Sequence, residues 1–450
     1  MKFAIFIFTA VSAFAQVTFI QNATVYTITK GTFKGSVLIE DGKIKQVGPN
    51  ITAPAGARIV DAGGMHLTPG IIDAHSHIAV QAGGVNEGSV SVSSMVRIED
   101  FVDGESVAIY RALAGGVTTA NILHGSANAI GGQNRLIKMR WGKSGAEMLF
   151  ASGPPSIKFA LGENPKRSGN AQGPPSPTTV LRYPATRMGV EDIYRQAFTE
   201  AQEYQKAWTE FKAGKTAMEP KRDLRLEPLV EIMEGKRLVH CHAYRGDEML
   251  MMMRVAEEFG FRIATFQHVQ EGYKIAKEMA IHGVGGSGFS DWWAYKMEVV
   301  DGIPYNMAVM TNKGVLAAVN SDDAGLMRRL NTEAAKTMKY GGLSEEQALA
   351  LITINPARHM KVDDQIGSIE VGKSADLVVW NKHPLSSYAV PQKVFIDGNQ
   401  YFDRDQDASE RMAKEARKKA LEEKAKTTEQ QQQKKKDAPP ARSPQSDEAR

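Results

Sequence analysis

The sequence predicts an α/β protein, a (β/α)8 TIM barrel with a flanking β-sandwich built from both ends of the chain. Three observations carry this. Apolar strand-like runs alternate with segments of helical period through the middle of the 450 residues. Alternating apolar patterns cut by turns occupy both ends. Histidines or aspartates stand where the central strand-like runs stop. Strand-then-helix alternation favours a parallel sheet. At roughly 250 residues or more such a sheet closes naturally into a barrel, with functional groups at the C-terminal ends of its strands.

The chain opens with "MKFAIFIFTAVSAFAQ": a basic Lys2, an apolar run, and small residues at Ala13 and Ala15. This order is that of a secretory signal cleaved after Ala15, so residues 1–15 are expected to be removed and the protein to be exported, periplasmic or extracellular. Cys241 is the only cysteine, which excludes an intrachain disulfide and leaves stability to the core. No further apolar stretch reaches membrane-spanning length, so no transmembrane helix is expected. A formal net charge of +4 gives no electrostatic case for nucleic acid.

Residues 17–66 read as short strands broken by turns: "VTFIQNATVYTI", "GSVLIEDGKIKQVG", "ARIVDAGGMHL". The same texture returns in "GSIEVGKSADLVVWNKHPL" and "KVFIDGNQYF". Residues 17–66 and 360–402 are therefore expected to form one composite sandwich flanking a barrel at 67–359. Within the barrel, "LVHCHA" precedes a helical period around 246–259, "IATFQHV" one around 271–282, and "GVLAAVNSD" one around 324–339. "RLIKMRWGKSGAEMLFASGPPSIKFAL" leaves little room for regular helices between the third and fourth strands. Residues 164–222 are a long excursion, Pro- and Gly-rich and then helical through "EDIYRQAFTEAQEYQKAW". Loops of this length are usually functional or disordered, and this one could supply specificity through Arg182, Tyr183 or Arg187, or serve as packing. Residues 403–450 lack an apolar face. They begin with helix formers of mixed charge, turn Gln-, Lys- and Pro-rich, and are expected to be a charged, largely disordered tail.

In "DAHSH" the two histidines are one residue apart, and alternate strand residues share a face. His75 and His77 thus aim at one point, which is chelating geometry. His240, His242, His268 and Asp322 close later strands. Imidazole nitrogen and carboxylate oxygen are ligands for divalent metals, and a catalytic site keeps positions open.

With "TPGIIDAHSH", "HCH", "FQH", "NSDDA" and "TINPARHMKVDDQIGSIEVGKSADLVVW", the sequence resembles the amidohydrolase superfamily, and within it the exported imidazolonepropionase-like group, over about residues 17–402. The resemblance implies a distorted (β/α)8 barrel, a flanking β-sandwich and one or two divalent metals, zinc first, that activate a hydrolytic water. Carried over by position, His75 and His77 are the first-strand ligands, His240 the fifth-strand ligand, His268 the sixth-strand ligand and Asp322 the eighth-strand ligand and proton shuttle. His242 shares a face with His240 and is the alternative ligand. His240 is preferred, with His242 placed near substrate. The bridging ligand is Lys158 in carboxylated form, with Glu163 as the alternative that needs no modification. Glu163, Tyr183 and Arg187 are further candidates for substrate contact, and "GGSGFSDWW" could wall the site through Trp292 and Trp293. The expected partner is a small-molecule amide or peptide, and homo-oligomerisation is left open. A non-catalytic metal-binding scaffold and a mononuclear deaminase are the alternatives. The deaminase would normally place a glutamate just after the fifth-strand histidine, where this chain reads "HCHAY".

Overall fold

β-Branched and polar residues alternate in β1 (Thr18–Tyr26) and β2 (Thr32–Glu40), which pair antiparallel with Phe19 opposite Leu38. β3 (Lys43–Gly48) returns on β2 through the two-residue turn Asp41–Gly42, both residues at positive φ (51° and 75°). That conformation suits the right-handed twist of a hairpin. β4 (Arg58–Asp61) and β5 (His66–Pro69) add to β1 in parallel. The computed structural model describes residues 17–80, 84–166 and 182–436. The expected signal peptide and residues 167–181 of the excursion lie outside the described residues.

The barrel sheet runs in strict chain order: β6 (Ile71–Ser76), β7 (Val117–Ile122), β8 (Ile130–Lys138), β9 (Ser156–Ala160), β10 (Leu238–Ala243), β11 (Thr265–His268), β12 (Gly285–Gly288) and β13 (Ala317–Val319). Neighbours are parallel except that β8 runs antiparallel to both β7 and β9. The chain between β7 and β8 is too short to hold a crossover, which takes a dozen residues or more, so the third strand reverses. Between β8 and β9, where the sequence leaves little room for regular helices, the chain forms only the four-residue helix Gly145–Met148. The seam between β13 and β6 is closed by Asp322 N–H donating to the His75 carbonyl (3.1 Å). Ser321 adds its N–H and Oγ to the Asp73 carboxylate at 3.1 and 2.5 Å.

Helices Gly246–Glu258, Ala276–His282, Asn306–Asn312 and Leu330–Gly341 follow the last four strands. The helical part of the excursion, Arg187–Lys212, buries Val190, Ile193, Tyr194, Ala197, Phe198 and Ala201, a spacing of three and four residues that makes one face. Tyr194 Oη donates to Ala160 O (2.9 Å), and Phe198 stacks on Phe261 at 4.6 Å between ring centres. This segment is therefore the crossover wall between β9 and β10.

At the far end of the chain, β14 (Leu377–Trp380) pairs antiparallel with β5, and β15 (Pro391–Ile396) and β16 (Asn399–Asp403) extend the sheet to the order β16-β15-β14-β5-β1-β2-β3. Ile20, Val37, Ile39, Leu67, Leu377, Val379 and Phe395 share one buried cluster, so strands from both ends enclose a common core. The remainder, considered alone, differs from the expected largely disordered tail: Arg404–Lys436 is a single helix. Charged pairs one turn apart, Arg411 with Asp407 (2.7 Å) and Lys414 with Glu410 (4.0 Å), support it. A missing apolar face argues against packing, not against a charged helix.

Candidate metal centre

β6 delivers His75, fully buried, and the chain just past it delivers the half-buried His77. Their Nε2 atoms are 3.3 Å apart, and Asp322 Oδ1 lies 3.4 Å from the first and 3.2 Å from the second. These three ligand atoms lie within 4.8 Å of one another. Lys158 on β9 brings Nζ to 3.1 Å from His75 Nε2, and His268 Nδ1 stands 3.9 Å from Asp322 Oδ2. His77 Nδ1–H donates to the Leu123 carbonyl (2.8 Å), which leaves Nε2 as the lone-pair nitrogen facing the group. His268 and Asp322 both take positive φ, 71° and 49°, at the ends of their strands. Non-glycine residues rarely adopt that conformation, and such strain concentrates at functional sites.

His240 and His242, the two fifth-strand candidates, differ in depth along β10. The His242 ring centre is 4.6 Å from that of His268 and 4.7 Å from that of Tyr244. His240 sits two residues earlier on the strand, one layer down the barrel, and feels His359 and Lys158 as its charged neighbours. Both rings are buried, and His242 is the one packed on His268. Of the two bridging candidates, Lys158 is buried and in the cluster. Glu163 is half-buried and points to Lys296 Nζ (3.4 Å).

The excursion residues are occupied elsewhere. Arg187 pairs with Glu248 (3.0 Å) and Glu298 (3.1 Å), so the expected substrate contact is instead an ion-pair bridge. Tyr183 is exposed, with Oη donating to Asp192 (2.7 Å). Arg182 donates to Ser91 Oγ (2.9 Å) and to the Ala127 carbonyl. Trp292 packs flat on Phe289 (4.4 Å, 19°), while Trp293 is exposed. The sequence reading missed three residues near the centre. His124, buried after β7, accepts the Glu87 N–H at Nε2 (2.9 Å), and "NILHG" is a strand-end histidine that could have been found. Tyr244 stacks on His268 (5.1 Å, 19°), and Lys296 Nζ lies 4.1 Å over the Tyr244 ring. Neither carries a sequence signal.

Burial holds His75, His240, His242 and His268 neutral. It takes His268 and His240 down to about 3, and it takes His75, with help from the Lys158 charge, and His242, with help from His268, well below the usual range. Burial also draws Lys158 down to about 8, against the pull of Asp322. For Asp322, burial pushes the carboxyl up, but its polar and positive neighbours, the Lys158 ammonium among them, outweigh it, and the group ends below its ordinary value. Neutral imidazole and ionised carboxylate are the cation-binding forms. Among the described residues His75 Nδ1, His268 Nδ1 and both nitrogens of His240 and of His242 are buried without a hydrogen-bond partner. Unpartnered buried polar atoms are costly. A divalent cation would satisfy such lone pairs, so the donor set fits a metal.

The amidohydrolase family matches residues 66–401. An amidohydrolase, tasK, of Hapsidospora irregularis is 33% identical over 82% of this chain, which spans 40% of that protein's length. The imidazolonepropionase of Rhizorhabdus wittichii is 25% identical over 77% of this chain and 88% of its own. The crystal structure of an amidohydrolase from Thermotoga maritima covers 86% of this chain and 100% of its own, at 37% identity and a TM-score of 0.78.

Proposed function

The chain belongs to the amidohydrolase family, and from that premise we propose that it is a metal-dependent hydrolase of amide, peptide or cyclic amide C–N bonds. The observation that carries the reading is the convergence of His75, His77 and Asp322, with Lys158 Nζ 3.1 Å from His75. His75, His77, His242, His268 and Asp322 would hold one or two divalent ions, with zinc suited to a nitrogen-rich set. Bound there, the ion would lower the pKa of a water and polarise the scissile carbonyl.

The protein's own groups do the rest. Asp322, tied by its backbone N–H to the His75 carbonyl, keeps its carboxylate at the ligand face. There it can take a proton from the attacking water and deliver it to the leaving nitrogen. A buried ammonium beside two cations would be repelled. Burial draws Lys158 down to about 8 and so toward its free amine, which can add to carbon dioxide, forming an N–C bond and losing a proton. The resulting carbamate is an anion able to bridge two ions. His77, fixed by the Leu123 carbonyl, orients the outer face of the site.

The deaminase alternative draws no support from the fifth strand: the residue three past His242 is Arg245, paired with Asp247 (3.0 and 2.9 Å). We also propose export, with cleavage after Ala15. The function is tested by metal analysis and a screen of dipeptides and cyclic amides on the metal-loaded protein. Turnover that disappears on chelation and returns with zinc is expected. A full metal complement with no turnover of any amide would favour the scaffold.

A further inference from the structure

The loop after β12 carries Lys296, whose ammonium lies 4.1 Å over the face of Tyr244. Tyr244 in turn stacks on His268, so one aromatic layer separates this cation from the candidate metal centre. The rings of His268, Phe289, Trp292, Tyr295 and Tyr244 form a closed circuit, with successive centres 4.4–6.4 Å apart. Tyr295 Oη donates to Tyr244 Oη (3.0 Å), which fixes the wall on which Lys296 rests.

The counter-ions of Lys296 are unequal. Glu298, buried, is 2.8 Å from Nζ and also holds Arg187 (3.1 Å) and the Glu163 N–H (3.0 Å). Glu163 stands at 3.4 Å with its side chain 45% exposed, free to swing into solvent. Arg187 and Lys296 together balance the buried Glu248 and Glu298. Glu163 is an additional, displaceable carboxylate. An ammonium has three donors, and here only the Glu298 contact is held in the interior.

We propose that Lys296 is a specificity residue that anchors a carboxylate of the substrate by displacing Glu163, so that the enzyme favours amides bearing a free carboxylate next to an apolar group, such as N-acyl amino acids and dipeptides. This rests on the hydrolase reading. The apolar group lies along the Phe289–Trp292–Tyr295 wall, and the amide points past Tyr244 toward His268 and Asp322.

The test is equilibrium binding of 2-benzyl-4-oxopentanoic acid, the isostere of N-acetylphenylalanine that lacks the scissile C–N bond, and of its neutral carboxamide to the metal-loaded protein, with ligand integrity and metal content measured for every variant. The parent is expected to bind the acid about tenfold or more tighter than the carboxamide, as a charge-assisted hydrogen bond supplies. Lys296→Met should bring the ratio toward one. Glu163→Gln, which removes the competing carboxylate, should tighten the acid and leave the ratio larger than in the parent. No binding of the acid by the parent, equal binding of the two ligands, or a preference that survives Lys296→Met overturns the proposal. A purely structural Lys296 would leave the Glu163→Gln ratio unmoved, which also overturns it. Turnover is scored separately: a loaded protein that shows the Lys296-dependent preference but hydrolyses no amide defeats the hydrolase reading and leaves the anchor standing.

Discussion

Asp322→Asn separates proton transfer from metal holding. In the parent, Oδ1 lies 3.4 Å from His75 Nε2 and 3.2 Å from His77 Nε2, and Oδ2 faces His268 Nδ1 at 3.9 Å. The amide is nearly isosteric, and the main-chain bond from Asp322 N to the His75 carbonyl does not depend on the side chain. The seam therefore stays closed and the fold persists. What disappears is one negative charge and the basic oxygen. Loss of general acid–base help alone is on the order of 10²- to 10⁴-fold in kcat. Because that help is given mainly in the transition state, KM should change far less. Metal content should fall only in part, since the histidines remain, and saturating zinc should restore occupancy without restoring rate. The assay is kcat, KM and bound metal for both proteins on whichever amide the screen returns. Parental kcat at full occupancy would refute the shuttle, and a rate loss fully reversed by zinc would reduce Asp322 to a ligand.

Other expectations follow from particular contacts. His242→Ala should strip bound metal and His240→Ala should leave most of it, by atomic absorption; the reverse would restore the deeper histidine as ligand. Lys158→Met should lower metal content and kcat together, and intact mass of the parent should show one added carboxyl group; an unmodified, fully active parent would remove the carbamate. Lys138, buried and 3.1 Å from the buried Asp376, also pairs with Asp397, so Lys138→Met should cost about 3–5 kcal/mol in urea unfolding by stranding a carboxylate. A loss under about 1 kcal/mol would show that Asp376 finds other partners. The secreted protein should begin at Gln16 by N-terminal sequencing, and recovery of intact Met1 from cytosol would contradict the export proposal.

The sequence by itself carried the architecture, because its signals are local and periodic. "LVHCHA" has the length and composition of a buried strand and coincides with β10. "DAHSH" places two imidazoles on one face because strand periodicity is two, and the turn-broken patterns at both ends foretold a sheet joined at β5 and β14. The family phrases extended that reading to the composition of the site. Periodicity says which way a side chain points, however, and not how deep it lies. His240 and His242 obey the same alternation, and only the barrel's height separates one beside His359 from one beside His268. In the same way, Arg187 reads as a free cation until Glu248 and Glu298, more than 60 and 110 residues along the chain, arrive on either side of it. Tyr244 and Lys296 acquire meaning only when β10 and the loop after β12 come within a ring's thickness of each other. The tertiary structure decided these points because they depend on distances between residues far apart in the chain, and local pattern holds no record of such distances.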